Sequence, residues 1–361
     1  MLSSETKSNA DAEPVLSGIG RTAPNYEAVL IVSFGGPEAS QDVIPFLENV
    51  LRGRNVPRER LLEVAKHYEY FGGVSPLNAQ NRELAAALQT ELQRHDIHLQ
   101  VYLGNRNWHP FLADILRQMR ADGVRHALGF FTSAFSSYSS CRQYLKNIAA
   151  AQAELGADAP RVHKLRTYFN HPGFIEPMIQ RAAMGLKQIP EKDGRRRSAR
   201  LVFTAHSIPL AMSANCSYEL QLRDASQLVA STIGHDDWNL VYQSRSGPSS
   251  QAWLEPDINH HLRKLAADGV HDVVVIPIGF ISDHIEVLYD LDLEAKATAE
   301  ELGINMIRVG TVGTDVRFVK MIQELIMERM TEMNDRPTLG KLRPCPDVCA
   351  EDCCLSGRAA M

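Results

Sequence analysis

Two side chains in this chain are spaced to do proton and cation chemistry together. His206 follows Leu201-Val202-Phe203-Thr204-Ala205. Glu286 ends the stretch Val273-Val274-Val275-Ile276-Pro277-Ile278-Gly279-Phe280-Ile281-Ser282-Asp283-His284-Ile285-Glu286. A neutral imidazole near pH 7 accepts protons, and a carboxylate holds a proton or a divalent cation. Asp290 and Glu294 follow Glu286 at steps of four, which predicts a helix carrying three acids on one face. Like charges so placed are unfavourable unless solvated, protonated or bridged by a cation. A route for a metal ion or for outgoing protons is one reading; an exposed acidic stripe is the other, and Glu294 fits the stripe better. His206 has its own plain alternative, an inward histidine hydrogen-bonded in the core. Nitrogen and oxygen donors of this kind suit Fe(II), Zn(II) and Co(II) alike.

A second group is made of thiols. Cys345, Cys349, Cys353 and Cys354 fall within ten residues, and Cys141 lies far upstream in a serine-rich turn. With no secretory context, such spacing reads as metal ligation more readily than as disulfides. A four-thiolate zinc site or a tail of reactive thiols are the alternatives. Cys216 has no neighbouring thiol in sequence and is expected to be structural.

Local pattern indicates the elements that must position these groups. The runs before His206 and Glu286 are too apolar to alternate and are rich in β-branched residues, as in strands buried on both faces of a parallel sheet. In an open α/β sheet, ligands bind beyond the carboxyl ends of the strands. The pair is therefore expected on one rim. The chain also repeats itself weakly. Ala121-Asp122-Gly123-Val124 precedes a strand-like run at 126–131, and Ala267-Asp268-Gly269-Val270 precedes a strand-like run ending Gly279-Phe280-Ile281-Ser282. Val101-Tyr102 leads to Arg106 and Trp108 as Val241-Tyr242 leads to Arg245 and Trp253. The expected fold class is α/β, with two similar Rossmann-like (flavodoxin-like) domains, each a parallel sheet flanked by helices. The expected boundaries are a disordered extension over 1–25, a first domain over 26–170, a second over 171–313, a terminal helix over 314–332 and a cysteine-rich tail over 333–361. Amphipathic helices are predicted at 81–94, 257–267 and 314–330.

Bulk properties narrow the function class. At 361 residues the chain suits two α/β domains. Its net charge of −5 gives no basic field for nucleic acid. No apolar stretch approaches the roughly 18 residues of a membrane span. Residues 1–25 are polar and do not read as a signal peptide, so a cytoplasmic protein is expected.

Six segments in order resemble the ferrochelatase family over roughly residues 26–330. They are Ser33-Phe34-Gly35-Gly36-Pro37, Phe71-Gly72-Gly73-Val74-Ser75-Pro76, Gly104-Asn105-Arg106-Asn107-Trp108, His206-Ser207-Ile208-Pro209, Tyr242-Gln243-Ser244-Arg245-Ser246-Gly247-Pro248 and Ser282-Asp283-His284-Ile285-Glu286. The wording around Phe34, Gly53 and Gly72 is most similar to the coproporphyrin III ferrochelatases of actinobacterial type. The resemblance implies insertion of Fe(II) into coproporphyrin III, with release of two protons, in haem biosynthesis, and exchange with other enzymes of that pathway. A protoporphyrin IX ferrochelatase is the alternative; a flavodoxin-like electron carrier or haem-binding chaperone is more distant. His206 is then the proton acceptor, and His206, Glu286 and Asp290 face the metal. Ser75 and Tyr144 match positions that meet propionates. Arg52 and Arg54 are candidate propionate partners through bidentate guanidinium contacts, and Trp253 and Phe280 are candidate walls for the ring. Phe34 stands where relatives place an axial tyrosine, so that ligand is lacking here. The polar stretch at 58–73 favours the more carboxylated porphyrin. Some relatives hold a [2Fe–2S] cluster with one internal and three C-terminal cysteines. Cys141, Cys345, Cys349 and one of Cys353 or Cys354 match that set.

Overall fold

The central strands of the fold form on the most apolar runs of the chain. We describe the protein from a computed structural model covering residues 24–53, 56–191, 198–247, 250–333 and 335–357. The strand β1 (Ala28–Ser33) is buried along its whole length. It pairs in parallel with β2 (Gln100–Asn105) on one side and β3 (His126–Phe131) on the other, and β3 pairs with β4 (Arg161–Lys164). The second sheet repeats the plan: β5 (Arg200–His206) lies between β6 (Trp238–Gln243) and β7 (Asp272–Ile276), and β8 (Asn305–Arg308) is the outer strand. The orders are β2-β1-β3-β4 and β6-β5-β7-β8, so the two halves share one topology.

The repeated four-residue segment has a local job in both halves. Gly123 and Gly269 adopt φ of +85° and +79°, which favours glycine. The amides of Val124 and Val270 then bond back to the carbonyls of Met119 and Leu265. Each segment therefore ends a helix and launches the next strand, β3 or β7.

The predicted helices are present, and two of them start at side-chain caps. The helix Leu77–Arg94 contains the 81–94 pattern. Asp257 caps Ile258–Ala267 and Asp315 caps Val316–Thr331 through their side chains. Residues 1–23, Arg54 and the 192–197 part of the arginine-rich loop lie outside the described residues.

The inner faces of both sheets share one core. Ile31 and Phe130 of the first sheet join Phe203 and Ile276 of the second, through Phe174 and Met178 of the helix Pro172–Gln188 and Phe318 and Ile322 of the terminal helix. Each outer face has a separate apolar cluster beneath its own helices. Two similar sheets are thus clamped into one body.

One strand is shorter than its sequence implies. β7 stops at Ile276, because Pro277 has no N–H for the ladder. Residues 277–284 then turn back across β5, where the Gly279 amide donates to the Thr204 carbonyl at 3.0 Å. Glu286 is therefore not at a strand end. It sits on the short helix Ile285–Val287, which continues as a π-helix over Leu288–Ala295.

Candidate active site

His206 is the last residue of β5, and Glu286 reaches it from the turn beyond β7. Their Nε2 and Oε2 atoms lie 3.7 Å apart, and both side chains are partly open to solvent. The tautomer of His206 follows from its other nitrogen. Nδ1 lies 2.5 Å from the Ser207 carbonyl, which can only accept, so Nδ1 carries the proton when the ring is neutral. Nε2 then presents its lone pair towards a carboxylate. Two acceptors facing each other beyond hydrogen-bond range form a place for a proton, a water or a cation between them.

The loop that carries His206 is fixed on several sides. The Tyr218 hydroxyl donates to the His206 carbonyl at 3.0 Å, and the Ser207 hydroxyl to the Leu254 carbonyl at 2.8 Å. Pro209 bridges to Trp253. Gly247 lies so near that indole that an added Cβ would meet it at 2.5 Å.

Glu286 is the first acid of a connected acidic face. His284 caps the turn by accepting the Glu286 amide at 3.2 Å on Nδ1, and burial lowers its pKa, which suits a neutral acceptor. Burial, with Glu286 and Glu294 adding repulsion against hydrogen bonds from Ser244 and Gln243, pushes the Asp290 carboxyl up to about 7. Burial also raises Glu294. The expected four-residue stepping is met on a π-helix and not on an α-helix. The wider turn still leaves Glu286, Asp290 and Glu294 as electrostatic neighbours.

Residue type alone assigns Gln243 and Ser244 no role, although both lie in a segment that carries the family resemblance. Gln243 ends β6 directly beside His206 in the parallel register. Its Nε2 donates to the Glu286 carbonyl at 3.1 Å and to the Asp290 carboxylate at 3.3 Å. Ser244, at a φ of +61°, donates a short bond to the same carboxylate. Only the pairing of β5 with β6 brings these residues to the acidic face.

The first half of the chain also reaches this face. Burial raises the Tyr68 hydroxyl pKa and nearby Glu286 raises it further, so the helix Arg58–Tyr70 reaches the site. His67 of that helix stacks on Tyr289 of the π-helix, with centroids 3.7 Å apart. Phe34 is half-buried, packed edge-on to Phe46 with the Arg106 guanidinium over its ring. Ser75 is buried, and an added Cβ on Gly36 would meet it at 2.7 Å. Tyr144 is buried against Phe131 in the outer core of the first sheet. Arg52 is exposed at the end of the helix Val43–Leu51, bonded to Asn49. Trp253 and Phe280 are buried near the His206 loop and the Glu286 turn, and the Phe280 ring lies edge-on to His284.

The tail folds back on the serine-rich turn. Cys141 lies in the turn Tyr138–Arg142, capped by reciprocal bonds between Ser137 and Ser140. A hydrogen bond from Cys354 lowers the pKa of the Cys141 thiol, against its own burial, and Lys164 assists. The donor Cys354 is pushed up in turn. Burial raises the pKa of the Cys349 thiol, with Cys353 and Cys141 among its neighbours. The Cys353 and Cys354 sulfurs are 3.5 Å apart. Cys345 instead accepts from the Gln221 side chain at 3.4 Å. Cys216 bonds the Met212 carbonyl. A lowered thiol, a nearby cation and converging sulfurs suit a thiolate-bound centre in chemistry. Among the described residues, however, no three ligating side chains are arranged around a single ion. The thiols share a neighbourhood without forming a closed ligand shell.

The family profile for ferrochelatase matches residues 26–330. A ferrochelatase of Rhodopirellula baltica is 54% identical over 92% of this chain and 94% of its own length. Coproporphyrin III ferrochelatases of Streptomyces griseus and Nocardia farcinica are 47% and 51% identical, over 94% and 86% of this chain and 96% and 90% of theirs. Among solved structures, SirB from Bacillus subtilis with Fe3+ aligns with a TM-score of 0.51 at 11% identity, over 85% of this chain and 97% of that one, which is a likeness of fold alone. With the profile spanning both sheets and the His206–Glu286 rim between them, the chain belongs to the ferrochelatase family.

Proposed function

We propose that this protein inserts Fe(II) into coproporphyrin III, with His206 taking up pyrrole protons and Glu286 and Asp290 facing the incoming metal. The observation that carries the reading is the 3.7 Å approach of His206 Nε2 to Glu286 Oε2 at the rim of the second sheet. Metallation removes two N–H protons from a rigid ring whose nitrogens become accessible only when it bends. A wall that binds the bent ring favours the transition state over the flat substrate. The Nδ1 bond to Ser207 leaves Nε2 free as the acceptor. Asp290, held near neutrality, can take a proton onward or yield one to an entering cation.

The substrate assignment is supported by the names of the actinobacterial relatives and by the polar helix Arg58–Tyr70 beside the site. Ser75, Tyr144, Arg52 and Arg54 are the proposed propionate partners, and Phe34 and Trp253 the proposed ring contacts. One observation favours protoporphyrin IX instead: Leu62, Tyr70 and Val74 are exposed apolar groups on and just after that helix. Anaerobic Fe(II) rates with the two porphyrins decide the matter. A higher kcat/KM for coproporphyrin III is expected; a higher value for protoporphyrin IX overturns the substrate assignment.

The proposal extends to the tail. Cys141, Cys345, Cys349 and one of Cys353 or Cys354 supply four thiolates for a [2Fe–2S] centre with a structural or regulatory task. Anaerobically purified protein is then brown, with iron and sulfide near equal amounts, and Cys141→Ser bleaches it as fully as Cys345→Ser. Colourless protein with stoichiometric zinc would replace the cluster by a zinc site. Cysteine usage of this kind suits a reducing compartment, and we place the protein in the cytoplasm. Among the described residues no helix is long and apolar enough to cross a membrane.

A further inference from the structure

The residue after Cys141 holds the tail turn that carries Cys353 and Cys354. Arg142 Nε donates to the Cys353 carbonyl at 2.8 Å, and its Nη2 donates to the Ala350 carbonyl at 3.4 Å and, by a shorter bond, to the Glu351 carbonyl. One planar guanidinium thus collects three carbonyls of a single turn. The turn is closed by the Cys353 amide on the Ala350 carbonyl at 3.1 Å. Cys354 follows at a φ of +54°, in the left-handed region that side chains other than glycine avoid. Such a backbone persists only where its surroundings over-determine it. In that conformation the Cys354 side chain is buried and meets Cys141.

We infer that Arg142 is the positioning residue of the thiol centre, shaping the Ala350–Cys354 turn so that Cys353 and Cys354 face Cys141 before any metal binds. The inference deepens the reading of these thiols as ligands, while its geometry needs no metal. A second anchor holds the start of the segment: Asp347 is paired with Arg336 and lies 3.7 Å from Arg329. Arg336 also donates to the Cys345 carbonyl at 3.4 Å. With both ends pinned by arginines, the tail is a held segment and not a free strand. Lysine would keep the charge and lose the fork that spans several carbonyls.

The test uses full-length, reduced, metal-free protein and N-ethylmaleimide, with each thiol followed separately by mass spectrometry. Arg142→Ala is expected to speed alkylation of Cys353 and Cys354 roughly tenfold while leaving Cys216 unchanged. Arg142→Lys is expected to fall between parent and alanine variant. Equal Cys353 and Cys354 rates in parent and both variants overturn the inference. So does an acceleration that includes Cys216 equally, since that reports general loosening and not release of one turn. Iron and sulfide analysis of the anaerobically purified parent decides the cluster separately, so either result can fail without the other.

Discussion

The proposed role of His206 as a base rests on the carbonyl that occupies its other nitrogen. Removing the imidazole should leave the cleft walls in place and eliminate the acceptor. His206→Ala is expected to lower metallation by about 10²–10⁴-fold, the usual loss for a general base, with porphyrin affinity little changed. Near-parental turnover would remove His206 from the mechanism. Glu286→Gln is expected to reduce iron insertion strongly and Asp290→Asn less, because Glu286 faces the histidine directly while Asp290 lies behind it on Gln243 and Ser244. Small and equal losses would reduce the acidic face to a solvated surface. Asp290 also sets a pH dependence. Its folded pKa is raised from 3.8 to about 7, so the native protein holds this proton more tightly than the unfolded chain does. The stability it contributes is full below the unfolded pKa and is lost as pH rises through the folded value. Asp290→Asn should therefore show a Tm advantage that grows between about pH 4 and pH 8. A constant offset would contradict the assignment.

At the scale of elements, the turn after β7 decides how close Glu286 comes to His206. Gly279 lets that turn lie on β5: an added Cβ would stand 2.5 Å from the Ala205 Cβ and 2.7 Å from its Cα. Neither backbone can yield easily. Gly279→Ala is expected to destabilise the fold by about 1–3 kcal/mol, as overpacking does, and to reduce turnover by more than the fraction unfolded explains. Denaturant unfolding beside steady-state rates checks both parts. Intact stability and rate would mean that the turn moves freely. The sequence showed the apolar run and its two ends but not this reversal. Its apolar character continues past Pro277, and periodicity cannot separate a strand from a buried turn of similar composition. The π-helix was hidden for a related reason, since acids at steps of four fit an α-helix as well as they fit a widened turn.

Across the whole molecule, one ion pair joins the end of the first sheet to the terminal helix. Arg166 and Glu328 are almost fully buried and bonded at 2.7 and 2.9 Å, and Arg166 also reaches the Pro337 carbonyl at the start of the tail. Glu328→Ala leaves a guanidinium buried without its partner. A loss of about 3–5 kcal/mol is expected in denaturant unfolding. A change below about 1 kcal/mol, the scale of a surface pair, would show that solvent reaches the site.

The chain alone determined the parts that depend on local pattern. Apolar runs marked the central strands, the paired glycine stops marked a duplicated α/β plan, and side-chain type marked His206 and Glu286 as a candidate base and acid. Ordered motifs were enough to point to the family, because each residue type is named directly in the sequence. Tertiary structure decided which groups meet. Pairing of β5 with β6 set Gln243 beside His206, and the clamped sheets brought Tyr68 and His67 to the acidic helix. The fold also laid the tail on the turn at Cys141 through Arg142, 208 to 211 residues away in sequence. Contacts at such separations leave no periodic trace, since they arise from packing and hydrogen-bond completion between segments whose own patterns are silent about one another.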